Sequence, residues 1–306
     1  EVNAVYLISG AYDLLVTLEG KTLQEVSLFV SEKLSPIEPV IGTATHFILK
    51  KYKDHGTIML PKKGSDRMVV TPLSKKIVSV QPSGIRKFFD VANEMEDVIS
   101  LGVGEPDFDT PWRIREEGIF SLEKGRTFYT SNAGLMELRT EICKYLERTI
   151  HVDYDPKKET LITVGGSEAI DLALRCMLDP GEEVLLPQPS YVSYLPCTIM
   201  ADGVPVIVEL KHENEFKLTV DDLKDKVTEK TKILVMPFPN NPTGSIMTKE
   251  DLEPIAKFVE EHDLFVISDE IYSELSYKGD HVSIASLPGM RERTIVINGF
   301  SKGFAM

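Results

Sequence analysis

Cysteine is sparse in this 306-residue chain: Cys143, Cys176 and Cys197 are odd in number and lack CxxC spacing. That pattern argues against a disulfide framework and against a metal site, and the three read as buried thiols. Basic charge is also short, with 34 Lys and Arg against 48 Asp and Glu and a formal charge of -14. Such a surface repels phosphate backbones and anionic lipid headgroups, so nucleic-acid binding by this chain is not expected. Long apolar runs are missing, since no window approaches the roughly 18 residues of a membrane span. The N-terminus, Glu1-Val2-Asn3-Ala4, carries neither the basic segment nor the apolar stretch of an export signal. The expectation is a soluble cytoplasmic protein with no membrane partner. Tandem repeats and low-complexity tracts are not evident.

What is present divides in two. A length of 306 residues accommodates about two domains, and 42% hydrophobic residues can furnish their cores. Near the start, Asn3–Ile8 and Asp13–Leu18 are strand-like runs flanking the turn signal Ser9-Gly10-Ala11-Tyr12, which predicts a hairpin. From Thr22 to Leu34, the residues Leu23, Val26, Phe29, Val30 and Leu34 recur at three- and four-residue steps, which predicts one face of a helix. Pro36 and Pro39 break it, and Val40–Leu49 returns to a strand pattern. This β-β-α-β order, with Ile8-Ser9-Gly10-Ala11-Tyr12-Asp13-Leu14-Leu15 and Gly42-Thr43-Ala44-Thr45-His46-Phe47, resembles the later part of the Lrp/AsnC-type effector-binding domain. The resemblance implies a partial ferredoxin-like α+β segment over residues 1–55. The family's preceding strand, helix and DNA-binding helix-turn-helix have no counterpart in these residues, so a structural remnant is the expectation here and a working sensor the alternative. Residues 56–72 follow as a linker or tail, and the basic-polar stretch from Lys50 to Arg67 reads as solvated.

From Leu73 onward, short apolar runs alternate with amphipathic stretches. Strands are predicted at Thr160–Val164, Glu183–Leu186, Val204–Val208, Lys232–Met236, Leu264–Ser268 and Thr294–Ile297, with helices at Ser167–Leu178 and Lys249–Glu261. Strands alternating with helices imply an α/β fold, a mostly parallel sheet covered by helices on both faces. Ligands in such folds sit at the carboxyl ends of the strands, so the residues that follow each strand carry the information.

After Thr160–Val164 come Gly165-Gly166-Ser167-Glu168, where converging N–H groups and a helix N-terminus favour an anion, although a tight turn would look the same. After Glu183–Leu186, Tyr191 stands where a flat ring could cover a heterocycle or simply join a core. After Lys232–Met236, Pro237-Phe238-Pro239-Asn240-Asn241-Pro242-Thr243-Gly244 forms a rigid loop that can present the Asn241 amide to a ring oxygen. After Leu264–Ser268 comes Asp269-Glu270-Ile271-Tyr272: a carboxylate that can keep a pyridine nitrogen protonated, and a phenol for a ring hydroxyl. An Asp capping the next helix is the plain alternative. Last, Arg293–Asn298 delivers Gly299-Phe300-Ser301-Lys302-Gly303.

Taken together, and with Leu101-Gly102-Val103-Gly104-Glu105-Pro106-Asp107-Phe108 and Tyr129-Thr130-Ser131-Asn132-Ala133-Gly134-Leu135, these phrases resemble fold-type I, class I/II aminotransferases, nearest the aspartate and aromatic subgroup. The likeness covers residues 73–306, as the family's N-terminal segment and large domain. It implies a pyridoxal 5'-phosphate cofactor, amino acid and 2-oxo acid substrates, and a homodimer with shared sites. It makes Lys302 the Schiff-base lysine, Asp269 the partner of the ring nitrogen, and Tyr272 and Asn241 the holders of the 3-oxygen. Tyr191 would stack on the ring. Backbone groups of Gly166, Ser167 and Glu168, with the Ser301 hydroxyl, would take the phosphate. Gly104 and Asn241 would face the substrate carboxylate, and Tyr129 would reach the neighbouring subunit's phosphate.

The chain departs from the family at some points. Gly299 stands where some members place a phosphate-binding serine. The arginines that contact the phosphate and the substrate carboxylate, and the small C-terminal domain, would fall beyond Met306, so this chain is expected to bind cofactor weakly and turn over poorly. Three functions remain open at this level: a transaminase, an amino-acid-responsive Lrp/AsnC-type module fused to a transaminase-like domain, and a pyridoxal-phosphate C-S lyase. Two adjacent genes read as one would produce the same sequence, with Met68 near the junction. Amino-acid specificity is not legible.

Overall fold

The computed structural model describes residues 2–7, 14–18, 23–38, 40, 41, 43, 53, 54, 57, 58, 73–80, 102 and 104–306. The chain divides into two compact units, Glu1–Val70 and Thr71–Met306. In the first, β1 (Val2–Leu7) pairs antiparallel with β2 (Leu14–Leu18), bringing Tyr6 opposite Leu15. Helix α1 (Leu23–Phe29) continues as a π-helical turn over Val30–Leu34. Its half-buried side is Val26, Phe29, Val30 and Leu34, the face that the spacing predicted. The turn at Ser9–Tyr12, most of the strand at 40–49 and most of the linker lie outside the described residues. Within the stretch read as solvated linker, β3 (Lys53–Asp54) and β4 (Thr57–Ile58) form a short antiparallel ladder. Two residues separate them, the spacing of a tight hairpin.

In the second unit, α2 (Lys75–Ser79), α3 (Trp112–Glu123), α4 (Met136–Ile150) and α5 (Gly166–Met177) precede a five-stranded sheet. Its strands are β5 (Glu183–Gln188), β6 (Val204–Glu209), β7 (Thr231–Met236), β8 (Phe265–Asp269) and β9 (Thr294–Ile297). They lie in the order β6-β5-β7-β8-β9, and every pair is parallel. Between them run α6 (Tyr194–Met200), α7 (Val220–Lys224) and α8 (Lys249–Glu261), and α9 (Phe300–Gly303) closes the series.

The period-two alternation of a strand explains why both sheet faces are covered. Leu185, Leu234, Met236 and Val266 join Leu252, Ile255, Ala256 and Val259 of α8 in one core. The alternate residues Val184, Leu186, Ile233, Val235 and Ile267 join Ile170, Ala173 and Leu174 of α5 and Tyr194 of α6 in the other. The apolar residues of α8 and α5 recur at helical spacing, so each helix has one buried stripe. Helix α8 starts sharply because Thr248 and Asp251 form a reciprocal capping box. A third, smaller core joins Cys143, Leu146 and Ile150 of α4 to Val152 and Tyr154.

Two expectations are corrected. Thr160–Val164 is in no ladder among the described residues. Ile162 donates its N–H to the Ala133 carbonyl, and Val164 is 90% exposed. Apolar alternation makes a strand only where a neighbour supplies the ladder bonds. Of the cysteines, Cys143 is buried but Cys176 is exposed and Cys197 intermediate. Position on a helix face, not residue type, sets that burial. No helix among the described residues is long and apolar enough to cross a membrane.

Leu234 is fully buried in the sheet centre. Its replacement by alanine should lower unfolding stability by about 2–5 kcal/mol, the range for emptied core sites. Leu161→Ala, at a position 55% exposed, should change it by less than about 1 kcal/mol. Urea denaturation of both variants checks the contrast.

Candidate active site

A parallel sheet delivers the ends of its strands to one edge. The register sets Ser268 opposite Met236 and Asp269 opposite Ile297. The loops after β5, β7, β8 and β9 therefore emerge side by side, and each carries one of the residues singled out by its position after a strand.

Lys302 stands in the one-turn helix α9. Its Nζ donates to the Gly104 carbonyl at 2.6 Å and lies 5.7 Å from the centroid of the Tyr272 ring. Three local features bring it there. Asn298 donates to the Ser273 hydroxyl at 3.2 Å and accepts from the Gly299 N–H at 2.7 Å. A Cβ on Gly299 would come within 2.8 Å of Ile271 Cδ1, so glycine lets the β9 loop approach the β8 loop without moving that side chain. Thr110 donates to the Ala305 carbonyl, tying the segment that bears Gly104 to the residues after Lys302.

Tyr272 accepts a hydrogen bond from Asn241 Nδ2 at 3.3 Å. Burial raises the Tyr272 phenol above its usual range, and the bond from Asn241 works in the opposite direction. Asn241 owes its position to Asn240, which is buried and crosslinks the loop. Asn240 Nδ2 donates to the Pro189 carbonyl at 3.3 Å, while its Oδ1 accepts from the Thr243 N–H at 3.2 Å and hydroxyl at 3.0 Å.

Asp269 ends β8 and is only 7% exposed. One oxygen accepts from the Tyr194 hydroxyl at 2.7 Å and the other from the Ile271 N–H at 3.2 Å. Burial pushes the Asp269 carboxyl above the ordinary carboxylate range, against the pull of those two hydrogen bonds, and the Glu270 charge adds to the rise. Burial also drives the Tyr194 hydroxyl far upward, so it stays a donor. The Ile271 bond is the local backbone contact that the capping alternative anticipates, and it coexists with the bond from Tyr194.

The remaining part is a helix start. Gly165 has φ +80, a left-handed value that favours glycine, and no side chain caps α5. The first N–H groups of a helix have no intrahelical acceptor, which leaves those of Gly166, Ser167 and Glu168 directed outward. The Ser167 hydroxyl lies 3.1 Å from the Tyr191 hydroxyl, and the Tyr191 ring packs edge-on against Tyr194 at 5.8 Å. Tyr191 is thus half-buried and serves both readings offered above, a core neighbour with one accessible side.

The structure brings together Lys302, Gly104, Tyr272 and Asn241 as one set of contacts, and Asp269, Tyr191 and Ser167 through Tyr194 as another. Ser301 is exposed on α9 and Tyr129 is fully exposed. The Glu168 side chain turns back to accept from the Val164 N–H, so any anion contact is left to its backbone. Sequence reading missed Tyr194, Asn240 and Asn298. Asn240 and Asn298 sit beside singled-out residues in the same loops, whereas nothing in the local sequence distinguishes Tyr194 from a core tyrosine.

Residues 96–306 match the aminotransferase class I and II family, and residues 1–58 match the Lrp/AsnC ligand binding domain. The chain is 53% identical over 235 residues to an aspartate aminotransferase of Pyrococcus abyssi, covering 76% of this chain and 60% of that protein. It is 51% identical to aromatic-amino-acid aminotransferase 2 of Thermococcus litoralis, with the same coverage of each, 76% and 60%. Among solved structures, an aspartate aminotransferase of Thermus thermophilus superposes with a TM-score of 0.73 at 38% identity, covering 76% of this chain and 62% of that one. The chain therefore spans about three fifths of the length of the curated relatives it matches.

Proposed function

Because the chain belongs to the class I and II aminotransferase family, we propose that it serves pyridoxal-phosphate-dependent transfer of an amino group between an L-amino acid and a 2-oxo acid. The carrying observation is the Lys302 amine, Tyr272 and Asn241 gathered at the sheet edge that also bears the buried Asp269. Family members use pyridoxal 5'-phosphate. The residues present fit that group on two counts. A carboxyl as buried as Asp269 ionises readily only beside positive charge, which a protonated pyridine nitrogen supplies. An uncapped helix start with outward N–H groups suits a phosphate.

Each residue then has a defined task. Lys302 Nζ carries the cofactor and moves the proton taken from the amino acid Cα. Asp269 holds a proton at the ring nitrogen. Asn241 and Tyr272 bind the 3-oxygen, and Tyr191 covers one ring face. The N–H groups of Gly166, Ser167 and Glu168, with the Ser301 hydroxyl, bind the phosphate. Gly104 and Asn241 face the substrate carboxylate. When bound, the cofactor supplies an electron sink for charge developing at Cα. In this reading residues 73–306 form the cofactor-binding domain, residues 1–55 a partial effector domain, and residues 56–72 their connection.

Surface chemistry supports a homodimer. Helix α3 has no buried residue although it carries Trp112, Ile119 and Leu122, all exposed, and Phe128 and Tyr129 are exposed just beyond it. Apolar surface of that kind is normally covered by a partner, and Tyr129 would then reach the phosphate of the second copy.

The test is a product analysis of the chain supplied with pyridoxal 5'-phosphate, an aspartate or aromatic donor and a 2-oxo acid. Exchange of amino and oxo groups in equal amounts is expected, at the low turnover anticipated from the sequence. In a parallel incubation with a β-thio amino acid, release of a thiol, ammonia and a 2-oxo acid, with no amino transfer from either donor, would replace transamination with C-S lyase chemistry.

The match of residues 1–58 supports a second reading, in which the first unit senses amino acids. Calorimetric titration of the Lys302→Ala chain with amino acids separates it from the first, since binding there would not depend on cofactor attachment.

A further inference from the structure

Tyr194 was not anticipated from sequence, yet its hydroxyl is the side-chain donor to Asp269, at 2.7 Å in an interior where both groups are more than nine-tenths buried. Glu270 is also buried, but it is engaged elsewhere: its carboxylate accepts from Ser268 at 2.9 Å and Ser283 at 2.6 Å and lies 2.9 Å from His281 Nε2. Two adjacent acidic residues thus have separate environments. Glu270 has three side-chain partners, and Asp269 has one besides a backbone N–H. The other titratable groups around Asp269 and Tyr194 are the phenols of Tyr191 and Tyr272. A buried carboxylate without a donor reverts to its neutral form.

We infer that Tyr194 is a positioning residue, whose hydroxyl favours the ionised form of the Asp269 carboxylate and fixes it at the end of β8. Its importance to catalysis rests on the function proposed above, but the hydrogen bond acts in the folded chain with or without cofactor. In Tyr194→Phe the carboxylate loses that donor, and a proton should bind Asp269 roughly 10- to 100-fold more tightly, the worth of one hydrogen bond to a charged group.

The sign of the pH effect follows from linkage. Asp269 has its folded value raised by burial, so ionising it costs stability as pH rises past the unfolded carboxyl range. Tyr194 reduces that cost. The extra loss in Tyr194→Phe should therefore be absent where Asp269 is protonated in both proteins. It should grow as pH rises through the wild-type value and level off above the variant's.

The experiment is a urea-denaturation series on the full chain without cofactor, across the acidic to neutral range. It uses wild type, Tyr194→Phe, Asp269→Asn and the double variant. His281 and Glu270 are present in all four, so their titration cancels. The expected result is a midpoint deficit from Tyr194→Phe that widens with pH when Asp269 is intact and stays constant when Asp269→Asn is already in place. A deficit independent of pH in both backgrounds would overturn the assignment and leave Tyr194 a packing residue. Should the single variant not fold, folding regained in the double variant supports the proposal, and failure of both rejects it. Borohydride trapping of pyridoxal phosphate on wild type is scored separately. A flat deficit with trapping at Lys302 rejects the role of Tyr194 alone. A pH-dependent deficit without trapping rejects the cofactor reading while the Tyr194–Asp269 coupling stands.

Discussion

Lys302→Ala should abolish covalent attachment of pyridoxal phosphate and reduce amino transfer to the rate without protein, since in the proposed reaction the amine is both the attachment point and the proton carrier. The attachment is measurable without turnover. Wild-type chain treated with cofactor and then borohydride should retain the cofactor's mass on the peptide containing Lys302, and the variant should retain none. Among the described residues the geometry leaves no obvious substitute. The groups in contact with the amine are the Gly104 carbonyl and the Tyr272 ring, neither of which is an amine. Equal labelling of wild type and variant, or labelling mapped to another lysine, would remove Lys302 from its assigned place. Loss of helix α9 does not confound the result, because alanine is a good helix former and Lys302 is only half-buried.

Asp269→Ala should separate turnover from affinity. In the proposed reaction the carboxylate would act on charge that develops at Cα, so its removal should reduce amino transfer by roughly 10²- to 10³-fold, in line with the loss of one preorganised electrostatic partner. Cofactor affinity should change much less, because the phosphate cradle, Asn241, Tyr272 and Lys302 all remain. The substitution also leaves the Tyr194 hydroxyl without its acceptor in a buried site. That cost appears as stability, and measuring urea midpoints beside kinetics keeps the two effects apart. Asp269→Asn, which preserves shape and a hydrogen-bond acceptor while removing the charge, should lose comparable turnover with a smaller loss of stability. Near-normal turnover in either variant would show that the ring nitrogen does not depend on this carboxylate.

The gathering of the candidate residues at one sheet edge was legible because a parallel sheet makes position informative. Strand patterns at Glu183–Leu186, Lys232–Met236, Leu264–Ser268 and Thr294–Ile297 appear as β5, β7, β8 and β9, differing only at their ends. Once strands alternate with helices, residues just past the strand ends share an edge whatever their separation along the chain. Asn241, Asp269, Tyr272 and Lys302 could therefore be grouped before any distance was known. Thr160–Val164 shows the limit of the same reasoning. Its alternation is as good as that of β9, but pairing is a property of two segments, and no ladder among the described residues takes it in.

Sequence by itself determined the alternating α/β order, the two-part organisation and the identity of the residues at the strand ends, because hydrophobic periodicity and local backbone preference are written residue by residue. Tertiary structure decided which of those residues touch. The closeness of Gly299 to Ile271, the crosslink from Asn240 to Pro189 and the bond from Tyr194 to Asp269 each join segments distant in the chain. Such contacts depend on packing distances and on the removal of water, which set whether a carboxylate is an ordinary surface acid or a buried group reliant on one tyrosine. That difference is absent from the letters Asp and Tyr, and it arises only when the sheet and its helices close around them.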